Sequence, residues 1–307
     1  MNHLKDNGLF DAQVPRYTSY PPANHFQVDV GRKNQASWLA AVPENSSVSL
    51  YIHIPFCKRL CWFCACRTQG TKTMRPVDAY VGYVQKELTK VRASLPRNIK
   101  INRLHLGGGT PTILPPKTMQ TLLDSVFDEF EAEEGFEFSV EIDPTEASKA
   151  LLDVLIDFGM NRASIGVQDF SQKTQEAIGR LQSVEQTRNV VSYLRKRGVQ
   201  SLNMDLLYGL PHQTSETFRQ TLHEVSLMEP DRLAIYGYAH VPWMSKRQVM
   251  IKKDDLPDNE QRYYLSEIPR EFVTAKGYNA IGIDHFALPK DGLSQANETK
   301  HLKRNFQ

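Results

Sequence analysis

The chain has 307 residues, 40% hydrophobic and 23% charged, and its 37 basic and 35 acidic side chains leave a net charge of +2. That is enough chain for a large core, and the near-neutral balance implies no bulk attraction to nucleic acid or to an anionic membrane. No apolar run reaches the ~18 residues of a membrane span, and the opening residues carry Asp6, Asp11, Pro15, Pro21 and Pro22 without an apolar stretch, which excludes a secretory signal and makes a cytoplasmic location the expectation.

Residues 1–46 read as an irregular N-terminal arm, because Pro15, Pro21 and Pro22 favour extended chain and turn. The β-rich alternation of 48–54 predicts a strand that leads directly into a cysteine-rich loop. From there a helix over 77–95 precedes a strand at 101–106 and the turn Gly107-Gly108-Gly109-Thr110-Pro111. A helix over 117–130 precedes a strand at 137–142, and a helix over 146–158 precedes one at 162–167. Two helical pieces between 171 and 197, parted near Gly179, lead to a strand at 201–208. Helices over 215–228 and 259–276 lead to strands at 232–238 and 278–283. Six strands alternating with helices predict an α/β fold with a parallel sheet curling into a partial, open (β/α)6 TIM-like barrel. No internal repeat or low-complexity linker divides the chain.

In parallel α/β folds the active site lies at the carboxyl ends of the strands. Here those ends carry Cys57 onward, Gly107–Thr110, Glu141, Gln168, Asp205 and Tyr238-Ala239-His240. All four cysteines fall within 57–66 in a CX3CX2CXC spacing. Thiolates at the first three positions, in a loop curled on one face, suit three irons of a [4Fe–4S] cube with the fourth left open. Tetrahedral zinc is the main alternative, although its structural sites usually draw two ligand pairs from separate elements. A disulfide framework does not suit the expected compartment. The glycine turn alone is weak evidence for a ligand, and Glu141 or Asp205 alone could equally be helix caps or solvated loop charges. His53, His105 and His240 read as core or loop residues.

CX3CX2C after a first strand, with GGGTP after the second, is similar to the radical S-adenosylmethionine superfamily. Tyr51-Ile52-His53-Ile54-Pro55-Phe56-Cys57 with the CX3CX2CXC loop resembles, within it, the oxygen-independent coproporphyrinogen III oxidase (dehydrogenase) family. Pro15-Arg16-Tyr17-Thr18-Ser19-Tyr20-Pro21, Gly166-Val167-Gln168-Asp169-Phe170, Asp205-Leu206-Leu207-Tyr208-Gly209-Leu210-Pro211, Pro230-Asp231-Arg232-Leu233 and Asp284-His285-Phe286-Ala287 extend the resemblance from about residue 14 to the last. It implies that Cys57, Cys61 and Cys64 hold the cluster and that Cys66 is not a ligand. One S-adenosylmethionine would meet Tyr51, Gly108 and Glu141. A second would meet Phe63, Gly109, Thr110, Gln168, Arg180, Asp205 and Ala239. The implied reaction abstracts hydrogen from propionates of coproporphyrinogen III through a 5′-deoxyadenosyl radical and loses CO2 to leave vinyls, in haem biosynthesis. The electron donor and acceptor stay unassigned, no nucleic-acid partner is implied, and a monomer is expected.

Two departures from the family pattern matter. Many members read CGCN where this chain has Cys64-Ala65-Cys66-Arg67, so Arg67 sets a fixed charge beside the cluster loop. Members also continue past an equivalent Asn-Phe-Gln into a helical C-terminal domain that helps cover the site, whereas this sequence ends at Gln307. The expectation is therefore an arm at 1–46, a radical S-adenosylmethionine core at 47–290 and, at 291–307, the start of a truncated segment. The rival readings are a haem-binding chaperone of the same family, which usually lacks the fourth cysteine and the PRYTSYP arm, and an inactive or truncated paralogue acting on another tetrapyrrole.

Overall fold

The computed structural model describes residues 3, 6–8, 10 and 25–302. Pro15–Pro21 and 303–307 lie outside them. The reading of 1–46 as wholly irregular needs correction, because α1 (Arg32–Ala40) forms within it. Its Lys, Gln, Ala and Leu residues are good helix formers, the Gly31 N–H donates to Asn34 Oδ1 at 3.0 Å, and it buries no residue.

The sheet is built by β1 (Ser47–Ile54), β4 (Lys100–Gly108), β5 (Ala132–Ile142), β6 (Arg162–Gln168), β7 (Ser201–Tyr208) and β8 (Arg232–Gly237), each parallel to the next. Two short strands, β2 (Phe56–Cys57) and β3 (Gln69–Gly70), pair with each other and close the base of the cysteine loop. The crossovers run through α2 (Arg75–Ser94), α3 (Pro116–Glu129), α4 (Lys149–Asp157), the pair α5 (Gln172–Ala177) and α6 (Val184–Lys196), and α7 (Ser215–Ser226). Helix starts follow local chemistry. Pro116 opens α3, Ser148 caps α4 through the Leu151 N–H, and Ser183 with Gln186 and Thr214 with Thr217 form reciprocal caps on α6 and α7.

The segment expected as a strand at 278–283 is not a further parallel strand. After α8 (Asn259–Ala275), β9 (Asn279–Ile281) turns back at Gly282, φ +63°, into β10 (His285–Ala287), which pairs antiparallel with both β9 and β8. A three-residue connection permits only a hairpin, since a parallel return needs a crossover of about a dozen residues or more. The final helix is α9 (Gly292–Glu298), and among the described residues β1 and β9 are open edges, so the barrel is partial.

One face of each strand packs the helices. In β6 burial alternates strictly, with Ala163, Ile165 and Val167 turned into the core. Met119, Leu122, Leu123 and Val126 of α3 are fully buried against the sheet, each worth roughly 1.5–3 kcal/mol. The other strand face carries Tyr51, His105, Glu141, Ser164 and Asp205. The residue parity that fills the core thus assigns these polar side chains to the concave side.

Candidate functional site

The cysteine loop is pinned from several elements at once. Gln69 N–H donates to Pro55 O at 2.8 Å and Thr71 N–H to Cys57 O at 3.0 Å, closing its base. Trp62 N–H donates to Ile178 O at 2.8 Å, and Arg59 Nη1 to Leu181 O at 2.8 Å. From beyond β8, Gln248 Nε2 reaches Phe63 O at 2.8 Å and Ala239 O at 3.2 Å, while Ser245 Oγ donates to Cys64 O at 2.9 Å. Phe63 and Ala239, far apart in sequence, are thereby joined.

All four thiols are free, with Cys57 and Cys61 buried and Cys66 exposed. Burial pushes the Cys57 thiol up, against the hydroxyls of Thr110 and Thr68 beside its sulfur. Cys64 accepts from the Cys66 thiol and from the Cys66 N–H at 3.4 Å, which holds its own thiol below the usual range, with the charges of Arg247 and Arg180 adding to the effect. Cys66 is pushed up by the same contact and further by burial. Among the described residues no three His, Cys, Asp or Glu side chains converge on a point as ligands of a single ion. The thiolates of a cube bind different irons and need not converge.

The glycine turn lies directly behind this loop. Gly109 N–H donates to Ile54 O at 2.8 Å and Thr110 N–H to Phe56 O at 2.9 Å. A Cβ on Gly109 would stand 2.8 Å from both carbonyl oxygens, and one on Gly108, whose φ is +110°, would stand 2.4 Å from the His53 ring. Only glycine permits this approach. Gly108 N–H donates to Glu141 Oε2 at 3.0 Å, and His105 Nε2 lies 3.5 Å from Glu141 Oε1. The His105 ring stacks on Tyr51 with centroids 5.6 Å apart and an interplanar angle of 15°. Tyr51, Gly108 and Glu141 therefore form one group, and burial first, then the charges of Glu141 and Cys66, push the Tyr51 phenol up to about 12.

The remaining candidates line the next strand ends. Gln168 closes β6 in the left-handed region, φ +69°, and Gly166 beside it leaves room for Arg180 Nη2 and Gln168 Nε2. Arg180 is buried and heavily bonded: Nη1 to Asp143 Oδ2 at 3.0 Å and Cys61 Sγ at 3.6 Å, Nη2 to Gly166 O and Gln182 Oε1, both at 2.9 Å. Its fork is occupied by Asp143, so it acts on this site chiefly as a fixed positive charge beside Cys61 and Cys64. Asp205 accepts from Ser164 Oγ at 2.9 Å and Asn203 Nδ2 at 2.7 Å, and burial raises its carboxyl to about 6. Neither Glu141 nor Asp205 caps a described helix.

Several participants carried no sequence signal of their own. His53 accepts from Tyr51 OH at Nδ1, 2.8 Å, and donates from Nε2 to Arg67 O at 3.0 Å. A carbonyl can only accept, so the proton sits on Nε2. Strand parity places His53 with Tyr51 on one face of β1, which is the signal that could have found it. Thr68, His105 and Gln248 become visible only through contacts distant in sequence.

The chain matches the family model described as the radical SAM superfamily over residues 51–225. It is 52% identical over 306 residues to the oxygen-independent coproporphyrinogen III oxidase of Paracoccus denitrificans, covering 100% of this chain and 68% of that protein. Its likeness to the namesake protein of Cereibacter sphaeroides strain ATCC 17025 is 51%, over 99% of this chain and 67% of the relative. The solved coproporphyrinogen III oxidase of Escherichia coli, described as a radical SAM enzyme, superposes with a TM-score of 0.92 at 38% identity, over 98% of this chain and 68% of that one. This sequence thus spans about two thirds of the length of these relatives, and the match runs through the strand-end loops just described. The chain belongs to the oxygen-independent coproporphyrinogen III oxidase family of the radical SAM superfamily.

Proposed function

We propose that this chain carries out the oxidative decarboxylation of two propionates of coproporphyrinogen III to vinyls, yielding protoporphyrinogen IX in anaerobic haem biosynthesis. The observation that carries the reading is the cradle of free thiols and close-packed glycines at the strand ends, in a chain of this family. Cys57, Cys61 and Cys64 hold a [4Fe–4S] cluster, and Cys66 stands by Cys64 without being a ligand. One orphaned donor fits such a group: Arg180 Nε, on the guanidinium whose Nη1 reaches Cys61 Sγ, is buried without a hydrogen-bond partner. Bound there, the cluster and S-adenosylmethionine would supply the radical chemistry for oxidative loss of CO2 from a propionate, with an external acceptor taking the surplus electron.

The protein's own residues bind, orient and shelter. Glu141, held by Gly108 N–H and His105, offers a carboxylate to the cationic end of the first S-adenosylmethionine, with Tyr51 beside it. Gly109, Thr110, Phe63, Gln168, Arg180, Asp205 and Ala239 surround the second. The fixed charge of Arg180 favours anionic groups near Cys61. Residues 47–290 form the core that does this work, with 1–46 as an arm before it. No described helix is long and apolar enough to cross a membrane, and we place the protein in the cytoplasm as a monomer.

The test is to incubate the anaerobically reconstituted protein with S-adenosylmethionine, a reductant and coproporphyrinogen III. Formation of 5′-deoxyadenosine and a vinyl product is expected. Absence of both from protein that carries the iron–sulfur absorption would overturn the reading.

A further inference from the structure

The segment after β8 is held firmly from below and left apolar above. Ile251 is buried with Ile178, Leu210 and Tyr238 in a small cluster separate from the main core, on which Trp62 and Phe63 also pack. Gln248, 1% exposed, accepts from Val241 N–H while donating to Phe63 O and Ala239 O. Ser245 donates to Cys64 O and Arg247 to Thr68 O, so the segment is tied to the cysteine loop itself. On its outer side Trp243, Met244, Val249 and Met250 are 77%, 79%, 70% and 58% exposed. Among the described residues, packing does not account for four exposed large apolar side chains on an anchored loop beside the cysteine loop.

The same stretch is basic. Lys246, Lys252 and Lys253 are exposed, and Lys253 stands close enough to His240 that its charge adds to burial in lowering the His240 imidazole. Apolar surface interleaved with ammonium groups matches a ligand that is itself a flat apolar body fringed by carboxylates. A purely apolar partner would leave those charges without a counterpart.

Resting on the function proposed above, we infer that the 243–253 loop is the seat of the tetrapyrrole. The macrocycle lies on Trp243, Met244, Val249 and Met250, and propionates that are not reacting meet Lys246 and Lys252. The substrate is thereby held by its unreactive parts beside the cysteine loop, which is how binding energy far from the chemistry serves orientation.

Coproporphyrin III, the stable oxidised macrocycle with the same propionates, is the probe. It is titrated into anaerobically reconstituted protein and followed by its own absorption and fluorescence. Trp243→Ala and, separately, Met250→Ser should weaken binding roughly tenfold, as expected for a central apolar anchor. The double variant Lys246→Gln/Lys252→Gln should weaken it several-fold and flatten its salt dependence. Iron content and S-adenosylmethionine affinity should stay at wild-type values in all three. Affinities within about twofold of wild type across these variants would overturn the inference. If wild-type protein forms vinyl product while the variants bind coproporphyrin unchanged, the platform fails and the function stands; if wild-type protein neither binds the probe nor forms product, the function itself fails. Loss of a dimer in sedimentation velocity, or of binding to phosphatidylglycerol vesicles, in Trp243→Ala with coproporphyrin affinity unchanged would assign the face to a second copy or to a membrane and overturn the proposal.

Discussion

The two ends of the sheet treat polar groups in opposite ways. At the amino ends of the strands, charges are paired: Arg162 with Glu137 at 3.2 Å, Arg195 with Asp231 at 2.6 Å and Arg232 with Asp291 at 2.6 Å. Asp231 also accepts from the Leu202 N–H at 2.9 Å, which ties that pair to the start of β7. At the carboxyl ends, His105 Nδ1 and Arg180 Nε stay buried without a partner, and Gly107, Gly108 and Gly109 approach neighbouring atoms more closely than a Cβ would allow. The amino end has orphans too, Arg162 Nε and Ser201 Oγ, but no thiol and no cradle lies beside them. One end uses its polar atoms to close the fold. The other pairs some of them, as Arg180 with Asp143, and leaves others without a protein partner, at a cost in stability of about 1–3 kcal/mol for each buried group left unpaired.

The contrast predicts which changes hurt binding and which hurt folding. The largest effect belongs to the thiols. Cys57→Ala, Cys61→Ala or Cys64→Ala should each abolish the broad iron–sulfur absorption of anaerobically purified protein, whereas Cys66→Ala should keep it; a colourless wild-type protein with one bound zinc would break the comparison at its root. Next comes the opposite end. Arg232→Met leaves Asp291 buried and unpaired and should cost about 3–5 kcal/mol in denaturant unfolding, with the iron content of the folded fraction unchanged.

Asp169 sharpens the distinction, because it lies at a carboxyl end yet belongs to the fold. It is fully buried, accepts from Ser171 N–H at 2.6 Å and Gln213 Nε2 at 2.6 Å, and burial raises its carboxyl to about 6. A raised carboxyl means that the native state holds its proton more tightly than the unfolded state. Stability is therefore greatest below the unfolded pKa and falls as pH rises through about 6, by up to about 3 kcal/mol for this group. Asp169→Asn sets an amide against one of the two donors, a cost that does not vary with pH. The fall between pH ~4 and ~6 should vanish in that variant, and a wild-type profile that is flat across this range would count against the assignment.

The smallest effect on folding, but not on binding, belongs to Gly108→Ala. The positive φ and the 2.4 Å approach to His53 should cost roughly 1–3 kcal/mol in thermal unfolding. Calorimetric titration should show S-adenosylmethionine affinity falling at least tenfold, since the displaced His53 no longer holds Tyr51. Unchanged affinity would detach the glycine turn from the cofactor site.

The cysteine spacing, the GGGTP turn and the beat of strand and helix were legible without coordinates because each is a local pattern: a period of two or 3.6, a cap, a loop of fixed length. Their position at predicted strand ends also marked Glu141, Gln168 and Asp205 as candidates for one shared site. Local pattern could not place Arg180, which the resemblance assigns to the second S-adenosylmethionine and whose guanidinium the fold commits to Asp143, nor the hairpin of β9 and β10, where a short turn overrides the expected strand at 278–283. It missed α1 because a helix without an apolar stripe leaves no periodic trace.

What the sequence determined by itself is the chemistry that can be brought to the strand ends: three thiols with a fourth to spare, and a glycine turn. Only the tertiary structure decided how they are held, through Gln248 bridging Phe63 and Ala239, His53 between Tyr51 and Arg67, and Arg180 beside Cys61. The reason is physical. The longest of those contacts, Gln248 to Phe63 and Arg180 to Cys61, join residues 185 and 119 apart, and all of them depend on strand order and loop packing, which local periodicity does not encode.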